Sequence, residues 1–191
     1  LIQSQTTNQA VAFSGNQNAA APQTARSATT SLERGQRESL EIVSQWEAAY
    51  ERQSGNEIVC VHLGTLIYGF DISAERLVYV TGMTSAPGMR DRSRQQGSPK
   101  PSEKDDEKGH VIATSLGGGM DVNLVPQARS VNRGKGSRWA TIERELAKRP
   151  GSAIAIHLIY SDDSQRPASF EFGYESDSGF RVEHIDNPES S

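Results

Sequence analysis

Asp105-Asp106-Glu107-Lys108-Gly109-His110-Val111-Ile112-Ala113 is the stretch on which the fold turns. Charge gives way at Gly109-His110 to a short apolar, β-branched run, which is how a chain enters a strand with a histidine at its mouth. Gly117-Gly118-Gly119 marks a turn, and Asn123-Leu124-Val125-Pro126-Gln127 is a second short extended segment. Asn132-Arg133 follows, and the spacing then predicts a helix over 137–149. Ser137 is its N-cap, Trp139, Ile142 and Leu146 are its apolar stripe, and Pro150-Gly151 stops it. A hairpin packed on that helix would bring His110, Asn132 and Glu143 towards one another, with Glu143 beside the packed stripe.

Working outward, the pattern before this stretch predicts an amphipathic helix over 36–53. Leu40, Val43, Trp46 and Tyr50 form its packing face and Gly55 lies just beyond it. Ile58 to Leu63, Thr65 to Phe70 and Leu77 to Thr81 read as an antiparallel meander. Gly82 to Lys108 is polar and broken by Pro87, Pro99 and Pro101, a long loop of the kind that is often functional. After the helix, Ala153 to Tyr160 is nearly all apolar and reads as a central strand. Phe170, Phe172 and Tyr174 alternate with polar residues in the next strand, and Phe180 to Ile185 closes the sheet. The fold class is therefore α+β, an antiparallel sheet with an N-terminal amphipathic helix.

Leu1 to Ser31 is rich in Gln, Asn, Ser, Thr and Ala without a sustained period, too little apolar surface to offset the entropy of ordering. Residues 1–33 thus read as a linker or tail, or the end of a preceding domain; 34–187 read as one domain, and 188–191 as a short tail. His62 and His157 lie in apolar strands and read as structural, His184 as exposed, and Cys60 as a small buried apolar residue.

The chain has 191 residues, 35% hydrophobic, with a formal net charge of −4. That length suits a single domain with extra sequence. No apolar run nears the roughly 20 residues of a membrane-spanning helix, so membrane insertion is excluded. One cysteine excludes an internal disulfide framework and a Cys-clustered zinc site. The sequence begins at Leu1 without a signal-peptide pattern, and a leader or domain upstream is expected. The modest net charge hides an asymmetry. Seven basic residues face two acidic ones between Pro126 and Arg149, while eight carboxylates face two arginines from Ser161 onward. Arg90, Arg92 and Arg94 form a second basic cluster in the long loop. A local basic field of this kind can hold a polyphosphate on an acidic chain.

Taken in order, the Gly-His element, the Asn-Leu-Val-Pro-Gln segment, Asn132 and the Trp-x-x-x-Glu helix resemble the DNA/RNA non-specific endonucleases. These nucleases use a ββα-metal (His-Me) finger, and the likeness is greatest to the bacterial polymorphic-toxin branch. It covers about Leu77 to Tyr174, with the finger core at about 105–150. It implies a phosphodiester hydrolase acting on DNA and possibly RNA, with a divalent metal, Mg²⁺ foremost. Asn132 would hold the ion, Glu143 would orient water on it, and Asn123 would support the site. His110 is the general base, since a neutral imidazole suits proton abstraction near pH 7. The usual Asp-Arg before Gly-His reads Glu107-Lys108 here, which keeps charge but loses the guanidinium fork that suits phosphate. Lys108, Arg90, Arg92, Arg94, Arg133 and Lys135 are the candidate phosphate contacts. The resemblance also implies a secreted toxin domain delivered into a target cell, and an immunity protein that protects the producer. The rival readings are a binding module of the same fold with a weakened site, and a scavenging or defence nuclease.

Overall fold

The computed structural model describes residues 23–87, 104–119 and 122–189, with side chains from residue 32 onward. Helix α1 (Gln23–Ser54) leads into a meander of β1 (Ile58–Leu63), β2 (Leu66–Asp71) and β3 (Arg76–Met83). Next come β4 (Asp106–His110), a single 3-10 turn (Thr114–Leu116), β5 (Leu124–Ala128) and two helices, α2 (Arg129–Arg133) and α3 (Arg138–Leu146). Strands β6 (Ala153–Ile159), β7 (Ser169–Ser176) and β8 (Gly179–Asp186) end the chain. The six long strands form one antiparallel sheet ordered β1-β2-β3-β6-β7-β8, and β4-β5 is a separate hairpin. The whole is α+β, and β6 is central, as its continuous apolar run predicts.

Alternation along β6 separates two cores. Ile154, Ile156 and Leu158 face Trp139, Ile142 and Leu146 of α3, together with Phe170, Phe172 and Tyr174. Trp139 makes edge-to-face contacts with Phe170 and Phe172 at centroid distances of 4.9 and 4.7 Å. On the opposite face Ala155 packs with Val43 of α1, Val78 and Tyr79, and Trp46 and Tyr50 lean on the same cluster. The sheet is thus a wall, with α1 on one side and the hairpin and its helices on the other.

Three expectations change. Helix α1 reaches back to Gln23, into the stretch read as a polar tail. Its packing face is Gly35, Ser39, Val43, Trp46 and Tyr50, whereas Leu40 is 46% exposed. Small residues take the upper turns because the backbone lies close to the sheet there, and Ser39 shares a 2.9 Å hydroxyl contact with Thr81. Cys60 is exposed and not buried, and His62 beside it is exposed as well. Their strand, β1, is the sheet's edge and buries only Ile58. His157 is held as a structural residue should be. It stacks on Trp46 at 4.9 Å and meets Glu171 at 3.2 Å, and burial pushes its imidazole below the ordinary range while Glu171 opposes the shift.

Candidate active site in the hairpin and its helices

β4 and β5 pair in register from Asp106↔Ala128 to His110↔Leu124, so His110 is the last residue of its strand. Strand alternation puts Glu107, Gly109 and Gln127 on one face of the hairpin and Lys108 and His110 on the other. A side chain at 109 has no room, because a Cβ there would collide with the Gln127 side chain. Gln127 is fully buried, and neither atom of its amide has a hydrogen-bond partner among the described residues.

Beyond His110 the chain turns sharply, and Asn123 holds the turn. Its amide accepts from the Ile112 N–H at 2.8 Å and donates to the Ile112 and Gly119 carbonyls at 2.6 and 2.9 Å. Its own carbonyl accepts from Val111 at 2.9 Å. Gly118 lies against the Ile112 carbonyl so closely that a Cβ would overlap it. Asn123 is completely buried and its amide is bonded to backbone, so it scaffolds the loop after His110 and is not itself placed to touch substrate.

The second asparagine is placed differently. Asn132 lies in α2, which starts directly after β5, and its Nδ2 donates to Glu107 Oε2 at 2.8 Å. Arg133 donates to the other oxygen of Glu107, and Arg129 Nε lies 3.8 Å from that same oxygen. Ser137 caps α3 by accepting from the Ala140 N–H at 3.1 Å, as its position in the sequence predicts, and donates to the Val131 carbonyl at 2.6 Å. This ties the short α2 to α3. On α3, Trp139 Nε1 donates to Glu143 Oε1 at 3.0 Å. Burial raises the Glu143 carboxyl to about 7, with the indole hydrogen bond opposing the shift.

That shift carries a stability consequence. Between about pH 4.5 and 7 the folded protein keeps a proton on Glu143 that the unfolded chain has released, so folding stability falls as pH rises through this window. The effect is on the order of 3 kcal/mol at most. In chelator, Glu143→Gln should flatten the fall of chemical-denaturation stability with pH; an unchanged slope would contradict the placement of this carboxylate.

The basic field is partly met from within the chain. Besides Arg129 and Arg133, Arg138 pairs with Glu183 at 2.5 Å and Arg149 with Asp177 at 2.8 Å. Four of the seven basic residues between Pro126 and Arg149 thus meet three carboxylates: Glu107 is shared by Arg129 and Arg133, and the other two come from the acidic C-terminal hairpin. Lys135, Arg144 and Lys148 remain exposed and Lys108 is half-buried. Arg90, Arg92 and Arg94 lie outside the described residues. A cavity of about 460 Å³ opens between the C-terminal part of α1 and the end of β6, lined by Tyr50, Asp71, Arg76, His157 and Tyr160. No residue of the hairpin, α2 or α3 lines it.

Three participants escape a reading of the sequence alone. Glu107 stands out in sequence only as a departure from the usual motif, and Arg166 and Asn187 carry no local signal. Arg166 grips Asp106 at 3.0–3.2 Å, and Asn187 accepts from the Ala128 N–H at 2.7 Å, so together they fasten both hairpin strands to the body of the protein.

The chain is similar to known proteins. Type VII secretion system protein EssD from Staphylococcus aureus strains USA300 and NCTC 8325 / PS 47 is 31% identical over 119 residues, which is 58% of this chain. The chain spans 19% of the length of those relatives. Among solved structures, Sda1 nuclease with bound zinc ion superposes with a TM-score of 0.48 at 14% identity, over 69% of this chain and 77% of that one. The EndoG/EndoGI complex matches with a TM-score of 0.45 at 12% identity, over 69% and 75%. The sequence profile of the DNA/RNA non-specific endonucleases matches residues 72–178, from the β2–β3 turn to the β7–β8 turn, with the whole hairpin and its helices inside. The chain belongs to the DNA/RNA non-specific endonuclease family, whose members hydrolyse phosphodiester bonds.

Proposed function

We propose that this domain is a metal-dependent endonuclease that cleaves DNA and RNA without reading sequence, using His110 as general base, Asn132 as metal ligand and Glu143 to orient water. The observation that carries the reading is the order of the finger. A hairpin strand ends on His110, its partner runs straight into the helix bearing Asn132, and the next helix bears Glu143. His110 and Glu107, the carboxylate that Asn132 touches, are three residues apart on one strand. That is about 10 Å along the strand, and alternation gives the two side chains different faces of the hairpin.

The donor set fits a hard ion. Among the described residues no group of three or more His, Cys, Asp or Glu side chains could cage a metal. Mg²⁺ needs few protein ligands, because it keeps several of its waters and prefers oxygen. With Nδ2 engaged by Glu107, the Asn132 amide has its Oδ1 left to offer. A bound divalent ion would neutralise charge at the phosphate and assist the leaving oxygen. His110 takes the proton of the attacking water, and Glu143, beside the Trp139 indole, steadies water in the site. No structured side-chain array for base edges is needed: backbone charge dominates binding, and affinity falls steeply with salt. The likeness to a Type VII secretion system protein supports a toxin domain delivered into a target cell, with an immunity protein protecting the producer. The charged surface around the hairpin is the natural place for that protein to bind.

Purified protein incubated with supercoiled plasmid and with single-stranded RNA tests the reading. Both should be degraded in Mg²⁺, degradation should stop in excess chelator, and adding Mg²⁺ back should restore it. Intact substrates across Mg²⁺, Mn²⁺ and Ca²⁺ would refute nuclease activity. Equal cleavage in chelator would refute the metal.

A further inference from the structure

We propose that Glu107 is a positioning residue that sets the orientation of the Asn132 amide, and that Arg133, with Arg129, braces Glu107 and does not grip the nucleic-acid backbone. The inference rests on the metal-dependent reading above.

A primary amide presents a donor at one end and an acceptor at the other, and rotation by half a turn exchanges them. Only the oxygen can ligate a hard cation. An ionised carboxylate accepts and cannot donate, so a carboxylate at hydrogen-bond distance selects the NH₂ end of the amide. Glu107 Oε2 does this to Asn132 at 2.8 Å. The reversed amide would set oxygen against carboxylate oxygen and lose a charge-assisted hydrogen bond, a bias on the order of 10- to 100-fold. The remaining oxygen of Glu107 receives Arg133, with Arg129 at 3.8 Å one helical turn earlier. Both arginines belong to α2, the helix that carries Asn132. The Glu107 side chain is only 18% exposed, whereas the Arg133 and Arg129 side chains are 65% and 69% exposed. The carboxylate is therefore the enclosed centre of the cluster and the arginines are its outer clamp. This arrangement gives Glu107 a purpose that its substitution into the usual motif position leaves unexplained, and it withdraws Arg133 from the phosphate contacts.

Mn²⁺ binding by electron paramagnetic resonance, with no substrate present, reads the effect directly. Glu107→Ala and Glu107→Gln should weaken Mn²⁺ binding by about 10- to 100-fold, the usual consequence of removing the partner of a ligand. They should raise the Mg²⁺ needed for half-maximal plasmid cleavage in parallel, with the KM for DNA at saturating Mg²⁺ unchanged. Glu107→Asp, which keeps the carboxylate, should recover part of the loss. That recovery separates positioning from a folding defect. Arg133→Ala should weaken Mn²⁺ binding more mildly and leave the salt slope of DNA binding unchanged, whereas loss of a phosphate contact would lower that slope by about 1. Wild-type Mn²⁺ affinity in both Glu107→Ala and Glu107→Gln would overturn the positioning role. A reduced salt slope with wild-type Mn²⁺ affinity in Arg133→Ala would overturn the brace. In either case an active, metal-dependent wild type would still stand as a nuclease; a wild type that neither binds Mn²⁺ nor cleaves would instead bring down the parent reading.

Discussion

His110→Ala should lower plasmid cleavage at neutral pH by about 10²- to 10⁴-fold, the range that general-base help contributes to hydrolysis. The expectation follows from chemistry and from placement. Water is a poor nucleophile until a proton leaves it, and imidazole is the side chain whose neutral form is abundant near pH 7. His110 ends β4 at the point where the Asn123-clamped turn begins, so its backbone is fixed by the pairing with Leu124 on one side and the Val111–Asn123 hydrogen bond on the other. The loss should fall on kcat, with Mn²⁺ affinity near that of the wild type, because the ion is assigned to Asn132. Added imidazole should restore part of the activity in the cavity left by the ring. Cleavage by the variant within a factor of three of wild type would remove His110 from the mechanism. Loss of Mn²⁺ binding in the variant would move it from base to ligand.

What the sequence discloses is what local chemistry enforces. Ser137 predicts the start of α3 because a serine hydroxyl there satisfies an N–H that has no helical partner, and the cap forms at Ala140. Trp139, Ile142 and Leu146 predict its buried face by spacing alone, and all three are buried. The alternation of Phe170, Phe172 and Tyr174 places β7 against that face. The features that stay hidden depend on approach distance or on partners far away in the chain. Spacing assigns Leu40 to the packed face of α1, yet the close approach of helix to sheet favours Gly35 and Ser39, and no periodicity reports approach distance. The charge asymmetry suggests an open basic field. Part of it is instead taken up by pairs such as Arg138–Glu183, in which the Glu183 carboxyl is held down at about 2 by the guanidinium and the Tyr174 hydroxyl. At the site, Gly109-His110 and Asn132 stand out by type and order. The Glu107–Asn132 contact does not, since the two are 25 positions apart.

Arg166→Ala should destabilise the protein by about 3–5 kcal/mol, the cost of removing one partner from a buried ion pair. The pair is enclosed: the Arg166 side chain is 8% exposed and that of Asp106 1%. Its Nε and Nη2 meet the Asp106 carboxylate at 3.0–3.2 Å, and the guanidinium also donates to the carbonyls of Asn187 at 2.9 Å and Pro188 at 2.8 Å. One side chain thus joins the first residue of β4 to the β6–β7 connection and to the chain just past β8. Asn187 completes the joint by donating to the Pro126 and Pro167 carbonyls at 3.3 and 2.7 Å. Alanine would take the cation from an enclosed carboxylate and release two carbonyls at once. For a domain of this size the melting temperature should fall by roughly 10 °C. Replacing both partners, as in Arg166→Met with Asp106→Leu, should recover much of the loss, because the charge no longer needs a counterion. The hydrogen bonds of Arg166 run to Asp106, Asn187 and Pro188, so cleavage measured well below the lowered melting temperature should persist, with the metal requirement intact. A melting temperature within 2 °C of wild type for Arg166→Ala would show that the hairpin does not depend on this joint. A stable variant that no longer cleaves would instead place Arg166 in the chemistry.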